Sequence, residues 1–525
     1  MSEQELKLHV SPAHAAAIRR ELLDHGARRI TLRALYFDTP ERELARARIA
    51  LRLRLEGRRW MQTLKTPGAD AITRVELNHP RPDPTLDLSV YAGTPFEAVL
   101  SKLRGPLGPR YETDVRRLVR TVRSRQGTVE LAFDTGLLRA GALELPICEL
   151  EFELMSGRPA AIFTVARGWR QRHALLLDTR SKSERGDALA TLAQQLEAAD
   201  SDQTRTKRVA GFWAPRGAAG VALRPAMPAP AAMAAVAAEC IEQITRNAAV
   251  LAEVDTLGVY PAGNSEHVHQ LRVGMRRLRS AWSLFEGWIE PPPDALVEGL
   301  RAHFAALGAN RDQDVLEETI APMLLKAGMP VIPTQSNGDP QNDSQAIAAG
   351  KPFQAWLSDL LEWSLNVRAP APAAAAETAA TAQGEAQDQT EAAPKPKRLA
   401  KRLAKRLHGW HAKVVEQGLR FGELHLEERH ALRKRGKRLR YSLAFAESLL
   451  PASRLNVYRK QLSLVQDVLG EINDLAVARD YYRVQCETHP QAWFALGWIE
   501  ARLAALSAQA QQAFKELANT KPFWN

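Results

Sequence analysis

Alternation of apolar and charged residues at period two runs through the first two hundred residues of this 525-residue chain and then stops. LRLRLEG at 51–57, RWMQTLKT at 59–66, ITRVELN at 72–78, TVELAFDTG at 128–136 and ICELEFEL at 147–154 place like side chains two apart, as half-buried strands do. From about 231 to 517 the apolar residues recur three and four apart, as in helices. Residues 201–230, rich in Pro, Gly and Ala, show no clear period and read as a linker. The expected architecture is an α+β domain over 1–200 followed by an all-α domain over 231–517. ERELARARIA at 41–50 and DALATLAQQLEAA at 187–199 read as helices of the first domain. In the second, 331–350 reads as a polar loop. The stretch 369–397 is low-complexity, has almost nothing to bury, and is expected to be disordered.

The strands carry more charge than half-buried strands need. In SEQELKL at the start, Glu3, Glu5 and Lys7 share one face. Arg52 and Arg54 share another, opposite Leu51, Leu53 and Leu55; Arg74 and Glu76 share a third. Glu149, Glu151 and Glu153 share a face opposite Leu150, Phe152 and Leu154. Any one of these could be a solvated outer face. As a set they repel within each strand unless a counter-ion intervenes. Acid-rich and base-rich strands lining one cavity resolve the conflict: carboxylates hold a divalent cation and the cations hold phosphate oxygens. Hard oxygen donors select Mg²⁺ or Mn²⁺. Charges inward and leucines outward under helices describe a closed antiparallel barrel with a polar bore.

These segments resemble the CYTH domain of the triphosphate tunnel metalloenzymes. Glu3, Glu5 and Lys7 match its ExExK signature, with LRLRLEG, TLKT, TRVELN, PICELEFELMSG and SKSERG following in order. The resemblance implies an inorganic triphosphatase that splits tripolyphosphate into diphosphate and phosphate with Mg²⁺ or Mn²⁺. It gives Glu3, Glu5, Glu149, Glu151 and Glu153 as metal-site acids, the direct ligands among the last three left undivided. It gives Lys7, Arg52, Arg54, Lys65, Arg117 and Lys182 as triphosphate-binding cations, with Arg116 the alternative to Arg117. Glu3, Glu5, Lys7 and Glu151 are the expected catalytic set. Asp134 is either a further acid or a turn residue. Ser181, Ser183 and His173 are expected to be structural, because phosphoryl transfer of this kind needs no side-chain nucleophile.

The helical half contains a repeat. HQLRVGMRRLR at 269–279 matches HALRKRGKRLR at 430–440, and LGANRDQDV at 307–315 echoes LGEINDLAV at 469–477. At about 100° per residue, His269, Arg272, Arg276 and Arg279 fall on one arc, as do His430, Arg433, Lys437 and Arg440. Leu271, Val273, Leu278, Trp282, Leu284 and Phe285 are left to face a core. A solvated basic face would suffice for either helix alone; the repetition points to a cationic groove for a polyanion. This half resembles the CHAD domain, two pseudo-symmetric helical bundles that bind inorganic polyphosphate. The resemblance implies polyphosphate binding by those eight residues, with Asp312, Asp314 and Asp474 pairing with groove arginines.

Composition narrows the classes. A net charge of +11 and a pI near 9.6 favour polyanionic partners. Aromatic residues are 6% of the chain and none interleaves with the basic runs, which argues against a nucleic-acid platform. Cys148, Cys240 and Cys486 are too scattered for a disulfide framework or a zinc site. With no long apolar run and charges from Glu3 onward, neither a membrane span nor a leader is expected. The expected location is the cytoplasm, in association with polyphosphate granules. The competing readings are a non-catalytic polyphosphate-binding or targeting protein, and a tunnel enzyme acting on thiamine triphosphate or cyclising ATP.

Overall fold

The computed structural model describes residues 2–68, 70–255, 263–332, 344–367, 398–520, 522 and 524, with backbone alone at 309–314 and 398. The chain divides into two compact units. The first comprises residues 1–216 with 245–267 and 345–362; the second comprises 217–244, 268–344 and 363–525. Two segments of the helical half therefore belong to the strand-rich unit.

That unit is an antiparallel barrel. Its strands are β1 (Ser2–Val10), β2 (Arg28–Asp38), β3 (Ala50–Glu56), β4 (Arg59–Pro67), β5 (Thr73–Arg81), β6 (Gly108–Ser124), β7 (Gly127–Ala140), β8 (Leu143–Gly157) and the short β9 (Leu175–Leu177). They pair in the order β5-β4-β3-β2-β6-β7-β8-β1-β9, and β5 also pairs with β1, which closes the sheet. The seam is short: Ser2 faces Val75, Glu3 faces Arg74 and Gln4 faces Thr73. The pleat does what the alternation predicts. Leu51, Leu53, Leu64, Leu6 and Leu8 are buried outside the barrel, while the intervening charges point in. Leu51 and Leu64 pack with Leu44, Ile49, Tyr91 and Leu100.

The sequence reading is incomplete in places. The expected helix over 41–50 is one turn, Glu43–Arg46, bounded by left-handed residues Arg42 and Arg48, and Ala50 already opens β3. Residues 202–212, inside the stretch read as a linker, form a helix capped by Ser201, whose side chain accepts from Thr204 N. Strands β2 and β6 were not picked out by alternation. The helix read over 187–199 starts earlier, at Lys182, because Ser181 caps it by accepting from Glu184 N at 3.1 Å. Lys182 thereby becomes the first helical residue, at the barrel wall.

The second unit is helical. Helices Ser265–Phe285 and Leu426–Phe445 carry the two basic runs, and Asp294–Val315 and Ala452–Gln485 carry the two Leu-Gly segments, so the repeat is structural. Leu271, Leu278, Trp282, Leu284 and Phe285 are buried as expected, whereas Val273 is half-buried. No described helix is long and apolar enough to cross a membrane. The low-complexity stretch 369–397 and much of the polar loop 331–350 lie outside the described residues.

Gly186 shows how tightly the helix Lys182–Glu197 meets the barrel. A Cβ there would lie 2.3 Å from the Tyr111 ring, which stacks on Tyr36 at 4.6 Å and donates from its hydroxyl to Ser183 O. Gly186→Ala should cost about 1–3 kcal/mol of stability through overpacking, read as a lowered urea midpoint with an unchanged slope.

Candidate active site

The inward charges line a cavity of about 370 Å³. Two lysines organise it. Lys65 Nζ lies 3.0 Å from Glu76, 3.5 Å from Glu5 and 3.7 Å from Glu3. Arg52 reaches Glu76 at 3.4 Å and donates to the Tyr36 hydroxyl at 3.2 Å. Burial disfavours the Lys65 ammonium, but Glu5 and Glu76 outweigh it and hold the group well above its ordinary range. Burial likewise favours a neutral Glu76, yet Arg52 and Lys65 pull its carboxyl down to about 2.

Lys182 is the second centre. Its ammonium lies 2.7 Å from Asp134, 2.5 Å from Glu149 and 2.6 Å from Glu151. Arg117 forks onto Asp134 with two 2.6 Å bonds and reaches Glu151 at 2.5 Å; Arg185 holds the other oxygen of Glu149 at 3.0 Å. Burial opposes ionisation here too, and Lys182 and Arg117 still keep Glu151 well below the carboxylate range. The centres share one field: Lys65 helps hold Glu151 ionised, and Glu5 helps hold Arg117 protonated.

The remaining expected residues fall on the same wall. Lys7, Arg54 and Glu153 line the cavity; Arg54 pairs with Glu56. Register settles the Arg116/Arg117 alternative, since Arg117 faces Asp134 across the sheet and lines the cavity while Arg116 is exposed. Asp134 is a fully buried bore acid, not a turn residue. Sequence reasoning left out of the site Glu76, Glu130, Tyr36, Asp178, Arg180, Arg185 and Asp255. Glu76 had a signal, its alternation with Arg74; Tyr36 had none without β2. Through β2 and β6, Ile30, Leu32, Ala34, Val115 and Val119 make part of the wall apolar. Beyond Asp134 and Glu149 the inner face also turns apolar, through Leu138, Leu145 and Ile147 packed with Leu189, Trp213 and Val250.

The bore holds two groups of acids, and their chemistry differs. Oxygens of Asp134, Glu149 and Glu151 lie within 4.8 Å of one another. That centre is already taken by the Lys182 ammonium. The second group shares Lys65, 3.5 Å from Glu5 and 3.7 Å from Glu3, a cation that also serves Glu76 at 3.0 Å. Glu5 lies directly opposite Glu153, and Glu153 directly opposite Glu130. Burial, then the Glu3, Glu5 and Glu130 carboxylates, push Glu153 up to about 7, with Lys65 opposing. Burial and Glu76 push Glu3 to about 7, and the two share a hydrogen bond. Carboxyls pushed up towards neutrality by burial, and then by neighbouring acids, supply the oxygen donors that a hard divalent cation takes.

In the helical unit the two basic runs differ in detail. Arg272 is 8% exposed, donates to Phe304 O at 3.0 Å and stacks 4.2 Å from the Phe304 ring centre, where Arg276 and Arg279 also converge. The ring face is thus covered by guanidiniums. The charges of Arg276 of one repeat and Arg440 of the other pull the Tyr441 hydroxyl down against the effect of burial. Burial, then Arg276, Arg433 and Arg440, press the Lys437 ammonium down to about 6, with Asp474 opposing. His269 is half-buried and His430 exposed. The side chains of Asp312 and Asp314 lie outside those described.

A closed barrel with convergent internal charges, followed by a doubled helical unit, defines a tunnel-type α+β domain joined to a helical domain. The CYTH domain family model matches residues 1–186 and the CHAD domain family model matches 235–483, so the chain carries a CYTH domain followed by a CHAD domain. An inorganic triphosphatase of Haemophilus influenzae is 32% identical over 203 residues, 36% of this chain; the match spans 56% of that protein's length. The CHAD domain of Ricinus communis is similar in structure at 24% identity, covering 59% of this chain and 98% of that one, with a TM-score of 0.44. A Hippeastrum protein described with a dominant triphosphatase activity is 18% identical, covering 34% and 92%, with a TM-score of 0.24.

The acid groups make separable predictions. Glu153→Gln should weaken Mn²⁺ binding, measured by calorimetry without substrate, by about tenfold or more, the scale of one lost carboxylate ligand. Asp134→Asn should change it far less, because Lys182 already serves that centre.

Proposed function

We propose that the barrel hydrolyses inorganic tripolyphosphate to diphosphate and phosphate, and that the helical unit binds long-chain polyphosphate. The observation that carries the first part is that Lys7, Arg52, Arg54, Lys65, Arg117 and Lys182 line one cavity, whose acids divide into a group closely paired with Lys182 and Arg117 and a group in which Glu3 and Glu153 are pushed up to about 7. The chain's similarity to an inorganic triphosphatase supports the same substrate class.

The cations bind and align a triphosphate chain, which supplies positioning and stabilises charge as the bridging P–O bond breaks. Lys65 and Lys182 are held by carboxylates now. A triphosphate entering the bore competes for them, and the acids it displaces become available to a metal and to water. Glu3, Glu5 and Glu153 would hold a divalent ion, Mg²⁺ or Mn²⁺, which when bound supplies charge neutralisation at phosphate oxygens. Glu151, kept ionised between Lys182 and Arg117, is the acid best placed to orient an attacking water. Water adds to the terminal phosphorus, diphosphate leaves with the bridging oxygen, and the proton of water passes to solvent or a carboxylate.

A second reading has a specific observation behind it. The apolar wall of Ile30, Leu32, Ala34, Val115 and Val119 suits an organic group attached to the triphosphate. Tyr36 adds little to it, since Tyr111 covers its ring and Arg52 holds its hydroxyl. Phosphate release compared across tripolyphosphate, ATP, thiamine triphosphate and long-chain polyphosphate, each with Mg²⁺ or Mn²⁺, separates the readings. Tripolyphosphate is expected to turn over fastest; a preference for either organic substrate overturns the first reading.

Lys7→Ala and Glu3→Gln should each lower tripolyphosphate turnover by about a hundredfold or more. Unchanged rates would remove the tunnel from the chemistry. For the helical unit, Arg276→Ala with Arg440→Ala should abolish retention on immobilised polyphosphate and spare triphosphatase activity. Lys437, largely neutral at pH 7, gains a proton when a polyanion arrives. Polyphosphate retention should therefore strengthen from pH 8 to pH 6, and Lys437→Met should flatten that slope.

A further inference from the structure

Asp255 lies just after the helix Ala229–Leu251, inside the range matched to the CHAD domain, yet belongs to the strand-rich unit. Its side chain is 1% exposed. Oδ1 accepts from Arg185 Nη2 at 2.7 Å, and Oδ2 accepts from Arg180 Nη2 at 3.2 Å. Both guanidiniums continue into the cavity wall. Arg185 Nη1 reaches Glu149 at 3.0 Å, and the other oxygen of Glu149 lies 2.5 Å from Lys182 Nζ. Arg180 forks onto Asp178 with two 3.0 Å bonds, and Asp178 lines the cavity. The backbone at Asp255 is left-handed, with φ of 65°, a conformation Asp and Asn tolerate better than most residues.

We propose that Asp255 is a positioning residue of the bore: its charge limits how tightly this end of the cavity holds a polyphosphate anion, acting through Arg185 on Glu149 and Lys182. The inference rests on the tunnel reading above. If the Asp255 charge is removed, Arg185 keeps its bonds to Glu149 and the Pro146 carbonyl. Its hold on Glu149 strengthens, Lys182 loses its share of that carboxylate, and the wall gains one positive charge. Both changes favour a bound phosphate. A residue that merely supported the fold would do the opposite, because loosening a preorganised site weakens binding. The carboxylate thus guards against a trap: a bore that grips its anion too well binds substrate and product alike and turns over slowly.

The test uses the full chain and tripolyphosphate as the probe. Asp255→Asn keeps the size and the left-handed backbone preference and removes only the charge. Calorimetry in EDTA, where no turnover occurs, should show Kd for tripolyphosphate falling about fivefold, the scale of one unit charge acting through partly solvated protein. With metal, KM and kcat should fall together. In a Glu149→Gln background the same substitution should lower Kd by less than it does in the wild-type chain, because the path through Arg185 to Glu149 is already cut and only the added charge remains. Arg180→Gln removes a positive charge from the same network and should weaken binding by a similar factor; it decides the matter if the Asp255→Asn chain does not fold. Unchanged or weaker binding by a folded Asp255→Asn chain overturns this inference alone, as does unchanged binding by Arg180→Gln. Wild-type chain that binds no tripolyphosphate overturns the tunnel reading and this inference with it.

Discussion

Charges enclosed by a barrel must be answered inside it, and that constraint organises the strand-rich unit. Burial works against the ionised groups of the bore, and Lys65, Lys182 and Glu151 are held ionised by opposite charges within about 4 Å. The seam between β1 and β5 makes this possible. Three facing pairs close the sheet and bring Glu3 beside Arg74, and with it Glu5 and Lys7 into the bore. Without closure, the acids of β1 and β8 would sit on an open sheet away from the cations of β3 and β4.

Compensation inside the bore is uneven, and the unevenness carries the functional content. Around Lys182, each of Asp134, Glu149 and Glu151 has a cation within about 3 Å. Around Glu3 and Glu153, burial and then neighbouring acids push the carboxyls up to about 7 against the pull of Lys65. A fold optimised for stability alone would replace such carboxylates with apolar residues of similar size. The same logic with the sign reversed applies to the helical unit. Burial, then Arg276, Arg433 and Arg440, disfavour the Lys437 ammonium, a cost that an arriving polyanion would offset. Each unit is strained in the charge its proposed ligand would supply.

Much of this was legible from alternation. Arg52 and Arg54 opposite Leu51 and Leu53 fixed both faces of β3, and the Glu149–Glu153 series fixed β8. The strands that escaped mix apolar and charged residues on one face. In RRITLRALYFD, Ile30, Leu32, Ala34 and Tyr36 face the bore; Thr31 and Arg33 alternate with them, but Leu35 and Phe37 then put apolar residues on the outer face as well, so the period holds only over part of the strand. The one-turn helix at 43–46 was overread because Ala, Leu, Arg and Glu are good helix formers wherever they stand; left-handed Arg42 and Arg48 end it.

The pairings least visible in sequence are those made between distant segments. Glu149 could be assigned to the bore by its strand, but whether it was free for a metal depended on Arg185 and Lys182, more than thirty residues on. Alternation gives the face a side chain takes and says nothing of who answers it. Gln354 makes the point again: its side chain accepts from Leu177 N at 2.8 Å, and its carbonyl accepts from Arg170 at 3.0 Å. It thereby braces β9, the strand that leads directly into Asp178, Arg180 and Lys182. Lys182 on the wall of the bore is thus held in place partly by residues that the sequence assigns to a different domain, so a boundary drawn by periodicity near residue 200 cuts through the support of the site it was meant to enclose.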